Sequence, residues 1–398
     1  MRGSRFAIEG PTLAAGGFLR RGRVVVKGSL IERVEEVEEP RYPQEPGENH
    51  FVFADGLILP GFIDVHLHGG GGGEVMDATP EALATVARCH ARHGTTGFLA
   101  TTLSASREQT ARALEEVARA AAKGIPGGAR VLGAHLEGPY LNPARAGAHR
   151  KEFLRNPSLP EVASWWDISP GAIKLASLAP ELPGAEEVSR WLVERGVVVA
   201  VAHSIASFRQ VAEAAGWGLS HATHLFNAMA AFHHREPGPV GAALTLPGFT
   251  VELIADGVHL HLATLGMAIR AAGAERVLLV TDAMRAAGLG DGRYDLAGLE
   301  VTVREGTARL VDGRLAGSVL TMDRALSRLV RGVGVALEEA VNMVSRNPAR
   351  LLGIERRKGS IGEGKDADLV VVDRNFEVLM TVVEGSIVYR REEGEGGR

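Results

Sequence analysis

The sequence predicts an α/β protein built on a (β/α)8 TIM-type barrel, and three observations carry that prediction. Between Pro60 and Met284, short buried-strand runs alternate with helical patterns. The runs number eight, and histidines and carboxylates recur at their carboxyl ends. The runs are Gly61–His68, Gly94–Thr102, Val131–Gly138, Ala172–Ala179, Val197–Ser204, Leu219–Phe226, Phe249–Asp256 and Arg276–Asp282. Each consists of β-branched or small apolar residues, as strands covered on both faces do. Helical patterns fill several gaps: Pro80–His93, Ser106–Lys123 behind a capping-box-like Ser106-Arg107-Glu108-Gln109, Ala185–Arg195, Ser207–Ala215 and Leu262–Ala272. The five glycines Gly69–Gly73 have no phosphate-loop lysine and no helix start, so they read as a flexible loop.

The two ends differ from the middle. Residues 1–55 hold short strand candidates, Arg23–Val26 and Phe51–Phe53, around a Pro/Glu-rich stretch, Glu35–Asn49. After the helical patterns Leu320–Gly332 and Leu337–Leu352, Asp368–Asp373 and Ile387–Tyr389 are again strand-like. We expect residues 1–57 and 356–398 to form a small discontinuous β-sandwich domain, and residues 58–355 the barrel. The charged, glycine-rich tail Arg390–Arg398 is expected to fray.

The 398 residues are 45% hydrophobic and 23% charged, a composition that suits a globular protein in water. A net charge of -4 offers no basic field to nucleic acid or to an anionic membrane. The single cysteine, Cys89, excludes an intrachain disulfide; within its helical pattern it reads as packing. The chain starts without a signal-like apolar core and has no run long enough for a bilayer, so the expectation is a cytoplasmic protein.

All 14 histidines lie between His50 and His261. His66 and His68 end the first run, His135 the third, His203 the fifth, and His221 and His224 the sixth. His259 follows the seventh run, and Asp282 ends the eighth. Barrel strands open their carboxyl ends on one face, so these groups converge, and converging imidazoles and carboxylates suit a divalent metal. His66 and His68 share a strand face, as do His135 and Glu137, which leaves either of the latter as a ligand. His221 and His224 are an odd interval apart, so only one is expected to point inward. His90, His93, His233 and His234 read as surface or helix-face residues, and Arg356-Arg357-Lys358 as a solvated run.

Pro60–Gly69 resembles the opening strand of the amidohydrolase superfamily, and Gly364–Val370 resembles its returning C-terminal segment. The inner motifs are similar to those of the N-acetylglucosamine-6-phosphate deacetylase family. They are His135-Leu136-Glu137-Gly138-Pro139, Gly147-Ala148-His149, Ala202-His203-Ser204, His224–Met229, Arg235–Gly238, Asp256–His259, Val280–Ala283 and Leu315–Ser318, in family order. This resemblance implies that Glu137, His203 and His224 hold the main metal, with His66 and His68 available for a second. It implies one or two divalent ions per subunit, zinc first and ferrous ion as an alternative. It implies Asp282 as general base and acid and His149 as the group that polarises the acetamide. Ala148, Asn227, Ala228, Arg235, Asp256 and His259 would bind the sugar phosphate, and Leu315, Ala316 and Gly317 would line the sugar. Arg235 would reach into the partner of a homodimer. The implied reaction is hydrolysis of N-acetylglucosamine 6-phosphate to glucosamine 6-phosphate and acetate.

Rival readings are a deacetylase of the galactosamine epimer, another amidohydrolase, and a non-catalytic barrel that binds sugar phosphates. Dihydroorotases and hydantoinases use a carboxylated lysine at the end of strand four. Here Lys174 lies early in that run, at the wrong end of the barrel. A non-catalytic barrel would be expected to lose Asp282 or a ligand, and this chain keeps them all.

Overall fold

The computed structural model describes residues 5–38 and 49–392. The tail expectation at 393–398, and most of the Pro/Glu-rich stretch, lie outside the described residues.

All eight predicted strands form, in sequence order, one parallel sheet: Phe62–Leu67, Thr95–Thr101, Arg130–Glu137, Ile173–Leu178, Val198–Val201, Leu219–Ala222, Thr250–Ile254 and Val277–Val280. Their continuous apolar runs are explained by burial on both faces; Phe62–Leu67 and Thr95–Thr101 have no exposed residue. The sheet closes at its carboxyl end, where Asp282 N–H donates to the His66 carbonyl (2.9 Å) and His68 N–H to the Ala283 carbonyl (2.8 Å). The fifth and sixth strands are shorter than expected. They end before His203 and His224, where the chain turns into left-handed backbone, so that only His221 stays within a strand.

The helix signals behave according to their physics. Ser106 and Ser207 cap Arg107–Lys123 and Phe208–Ala215 through capping boxes with Gln109 and Gln210. The Leu337–Leu352 pattern is broken at Ser345 (φ -137°, ψ -70°), three residues before Pro348. Two helices carry no legible pattern: Leu159–Ile168 and Gly238–Thr245. The latter is apolar on nearly every side and begins Gly-Pro, so no amphipathic stripe marks it.

Segments near both termini join in a second sheet. Its order is Ser386–Arg390, Val378–Val383, Leu369–Val372, Leu57–Pro60, Arg5–Ala14, Gly17–Lys27 and Leu30–Glu36, with Asn49–Val52 beside Arg5–Ala14. Phe6, Ile8 and Val24 meet Leu369, Val371 and Met380 in its core. Lys358 is not solvated as expected. It is buried, with Nζ 2.9 Å from Asp366 and 2.7 Å from Asp368, a pairing that offsets the cost of burying its charge. A third, unpredicted sheet follows the barrel: Gly292–Leu296, Leu299–Arg304 and Thr307–Leu310. Ala297-Gly298 and Glu305-Gly306, all at positive φ, form its turns. Among the described residues, no helix is long and apolar enough to cross a membrane.

Gly69–Gly73 is a tight hairpin rather than a flexible loop. Gly69-Gly70 pairs with Gly73-Glu74, and Gly69, Gly71 and Gly72 donate to carbonyls of Ala283, Ala287 and Arg285. His90, expected on an open helix face, is fully buried beneath it and donates from Nε2 to the Gly69 carbonyl (2.9 Å). A Cβ on Gly70 would fall 2.7 Å from that nitrogen, so the hairpin needs glycine there. Cys89 is packing, as expected: its thiol donates to the Ala287 carbonyl (3.3 Å), and burial pushes it up to about 11.

Burial holds His90 down to about 4, against its hydrogen bond to Gly69. Because the folded state binds this proton more weakly than the unfolded one, the group favours folding above the unfolded histidine pKa. That contribution is lost as pH falls from about 6.5 towards 4. His90→Gln keeps a donor and cannot titrate, so it should remove up to about 2 kcal/mol of that acid sensitivity, read from denaturant melts at pH 7 and 4.5.

Candidate metal centre and cavity

Glu137, the last residue of the third barrel strand, lies at the centre of the mouth. Its Oε1 is 3.0 Å from His224 Nε2 and 3.3 Å from His203 Nε2. Its Oε2 is 3.4 Å from His66 Nε2 and 3.3 Å from His68 Nε2. Asp282 Oδ1 completes the group at 3.2 Å from His68 Nε2 and 3.5 Å from His66 Nε2. His203, His224 and Asp282 each lie two residues past a strand, at φ 45°, 32° and 49°, in the left-handed region that non-glycine residues seldom enter.

The other ring nitrogens decide what each imidazole can do. His66 Nδ1–H donates to Glu252 (2.9 Å), His68 Nδ1–H to the Thr101 carbonyl (3.2 Å) and His203 Nδ1–H to the Arg145 carbonyl (2.7 Å). A histidine neutral at Nε2 then presents a lone pair to the cluster. His149 is wired the opposite way. Ser104 N–H donates to its Nδ1 (3.1 Å), and Ser104 Oγ lies 2.8 Å from the same atom, so the ring proton sits on Nε2, 3.6 Å from Glu137 Oε2. Gly138 makes room for this: at φ 75°, a Cβ there would lie 2.1 Å from Ser104 Oγ.

The candidates left open by sequence spacing sit one layer down. His135 is fully buried and bonded to Ser177 Oγ (2.7 Å), and its ring lies 4.7 Å from that of His66. His221 lies between Thr250 Oγ1 (2.7 Å) and Glu252 Oε1 (3.1 Å). Alternation fails to separate His221 from His224 because only His221 belongs to the strand. Sequence reasoning missed Glu252, which accepts from His66, His221 and the His224 N–H (3.0 Å). Its signal was a carboxylate inside an apolar strand, Val251-Glu252-Leu253-Ile254.

The electrostatics follow from crowding. Burial raises the Glu137 carboxyl, but His66 and the other imidazoles hold it well below the usual carboxylate range. Burial likewise opposes ionisation of Asp282, and His66 and His68 lower it. Burial opposes the charges of His66 and His68, yet the carboxylates push His66 well up and His68 to about 9; burial takes His203 down to about 4. Three buried triplets have ligand atoms within 4.8 Å of one another: His66/His68/Asp282 and Glu137/His149/His203 in the mouth, and His66/His135/Glu252 one layer down. Nitrogen and carboxylate donors crowded this closely fit a divalent cation.

Above the cluster opens a cavity of about 630 Å³. Ala148, Asn227, Ala228, His259, Leu315 and Gly317 line it; Ala316 is buried behind it, and Arg235 is exposed outside it, bonded to His234 (2.9 Å). Asp256 orients His259 through Nδ1 (2.6 Å). Arg145, Lys151 and Arg314 also line the cavity and were not anticipated.

The amidohydrolase family model matches residues 57–388. The chain belongs to the amidohydrolase family. Within that family it is 41% identical to an N-acetylglucosamine-6-phosphate deacetylase of Bacillus subtilis, over 89% of this chain and 90% of that one. It is 40% identical to an N-acetylgalactosamine-6-phosphate deacetylase of Escherichia coli O157:H7, over 83% and 87%. Among solved structures, a mutant N-acetyl-D-glucosamine-6-phosphate deacetylase from Mycobacterium smegmatis in complex with N-acetyl-D-glucosamine-6-phosphate superposes with a TM-score of 0.90. It is 34% identical, and the match covers 97% of this amidohydrolase and all of that chain.

Removing Glu252 strands buried donors beneath the cluster. Glu252→Ala should cost about 3–5 kcal/mol in a denaturant melt. Glu252→Gln should lower metal affinity by about ten- to a hundredfold in a chelator competition.

Proposed function

We propose that this amidohydrolase hydrolyses the acetamide of N-acetyl-D-glucosamine 6-phosphate, giving D-glucosamine 6-phosphate and acetate. The observation that carries the reading is a proton acceptor and a proton donor flanking one cation-fitting cluster. Asp282 is ionised beside His68, and His149 presents Nε2–H beside Glu137. We assign Glu137, His203 and His224 to one divalent ion and His66 and His68, with Glu137, to a second, with zinc or ferrous ion suited to these donors. A divalent ion held there makes water acidic enough to act as a nucleophile and polarises a carbonyl.

The chain's own groups supply the rest. Asp282 accepts a proton from the attacking water and passes it to the departing nitrogen. His149 Nε2–H donates to the oxygen on which negative charge develops. Asn227, Ala228 and His259 hold the sugar phosphate, with Ala148 and Leu315–Gly317 against the sugar. Burial lowers His259, but Asp256 outweighs it and raises the imidazole, which favours the cationic form against phosphate. Arg235, outside its own chain's cavity, serves the neighbouring site of a homodimer.

Acetate release from the two epimeric 6-phosphates by metal-replete protein tests the substrate; the relative that acts on the galactosamine epimer makes that sugar the second candidate. Elemental analysis should find one to two divalent ions per chain, and activity should disappear on chelation and return with metal. Asp282→Asn should keep the fold and lower kcat by about a hundredfold or more. Near-normal kcat in the metal-loaded variant would remove Asp282 from proton transfer. Mixing Asp282→Asn with Arg235→Ala chains should restore activity if the arginine acts across the interface, and none if it acts within its own chain.

A further inference from the structure

Three arginine and lysine side chains line the cavity, and they are not equivalent. Arg314 is committed: its Nε and Nη2 pair with Asp312 (2.8 and 2.6 Å), and its Nη1 donates to the Gly147 carbonyl. Arg145 and Lys151 are different. They sit on the short turns Pro143–Arg145 and Lys151–Phe153, either side of His149, and among the described residues neither side chain has an ion pair or hydrogen bond. Their neighbour Arg150 is already taken by Glu152 (2.8 Å). The loop that presents Nε2–H to the reacting amide therefore also carries two uncompensated positive charges at the cavity wall.

Positive charge at the wall of a cleft raises the local potential and favours anions. We propose that Arg145 and Lys151 form a rim that selects for the anionic phosphate of the substrate from within the same chain, independently of Arg235. The proposal rests on the functional reading above. A phosphate monoester carries close to two negative charges at neutral pH. It suits a guanidinium fork together with a mobile ammonium, since the fork fixes direction and the lysine follows the charge. Arg145 also has a structural task, because its carbonyl accepts from His203 Nδ1 (2.7 Å). That task belongs to the backbone, so the side chain can be changed without deleting it.

The test compares metal-replete wild type, Arg145→Gln, Lys151→Gln and the double variant on N-acetylglucosamine 6-phosphate and on unphosphorylated N-acetylglucosamine, at two ionic strengths. Metal content of each variant reports whether the histidine cluster survives. In the double variant the preference for the phosphorylated sugar, as a ratio of kcat/KM values, should fall by about five- to fiftyfold. The loss should appear in KM rather than kcat, and the salt dependence of the wild type should flatten. Each single variant should show part of the same shift, which keeps the test usable if the double variant does not fold. An unchanged preference, or equal losses on both sugars, overturns the rim. Failure of the functional reading is seen separately, in a wild type that releases no acetate from the phosphorylated sugar.

Discussion

One buried carboxylate organises the mouth of this barrel. Glu137 is almost inaccessible, and the Nε2 atoms of His66, His68, His203 and His224 lie within 3.4 Å of its two oxygens. An isolated carboxylate there would cost several kcal/mol in lost hydration, so positive charge has to be brought to it, by ring protons or by a cation. The same demand passes downward. His66 can face Glu137 only if its other nitrogen is satisfied, and Glu252 does that while also holding His221 and the His224 backbone. Imidazoles and carboxylates thus alternate in depth, and the donor atoms are fixed from below before any substrate arrives. Such support limits reorganisation when charge develops in a reaction.

The barrel was legible because strands buried on both faces write largely apolar runs, and eight such runs recur in order here. The address of the site was legible for the same reason, since the carboxyl ends of those runs must share a face. Direction was not. The period-two rule holds for His66 and for Glu137, which lie within strands, and says nothing about His203, His224 and Asp282, which lie past strand ends in left-handed backbone. Sequence spacing left His135 against Glu137 and His221 against His224 undecided; only the family motifs favoured one of each. Lys358 was misread for a related reason: its partners Asp366 and Asp368 come from a returning strand edge, and local sequence shows only a basic run.

The third sheet was missed because nothing marked it as part of the barrel's business, yet it covers the mouth. Leu296, Val301 and Ala308 pack with Leu103 and Met284, so a short antiparallel sheet is anchored on the loops after the second and eighth strands. Glu74, Asp77 and Asp295 converge on Arg285 to fasten this sheet to the glycine hairpin. From the far end of the same sheet, Arg314 reaches Gly147 on the loop that bears His149. The cover is therefore tied at two places, once to the glycine hairpin and once to the His149 loop.

This arrangement separates the cation-fitting cluster from most of the cavity wall. Glu137, His66, His68, His203, His224 and Asp282 stand on strand ends or within two residues of them, where the closed sheet and the layer beneath leave little freedom, whereas His149 is carried by a loop. Arg145, Lys151, Leu315 and Gly317 lie on the turns and loops above, outside the strands. Loops of this kind tolerate substitution with less effect on the core than strands do. A change of side chain at the rim leaves the Glu137 cluster its spacing, because none of its ligand atoms is carried by the rim. The cavity wall can therefore diversify among amidohydrolases of this shape without disturbing the carboxylate on which the mouth depends.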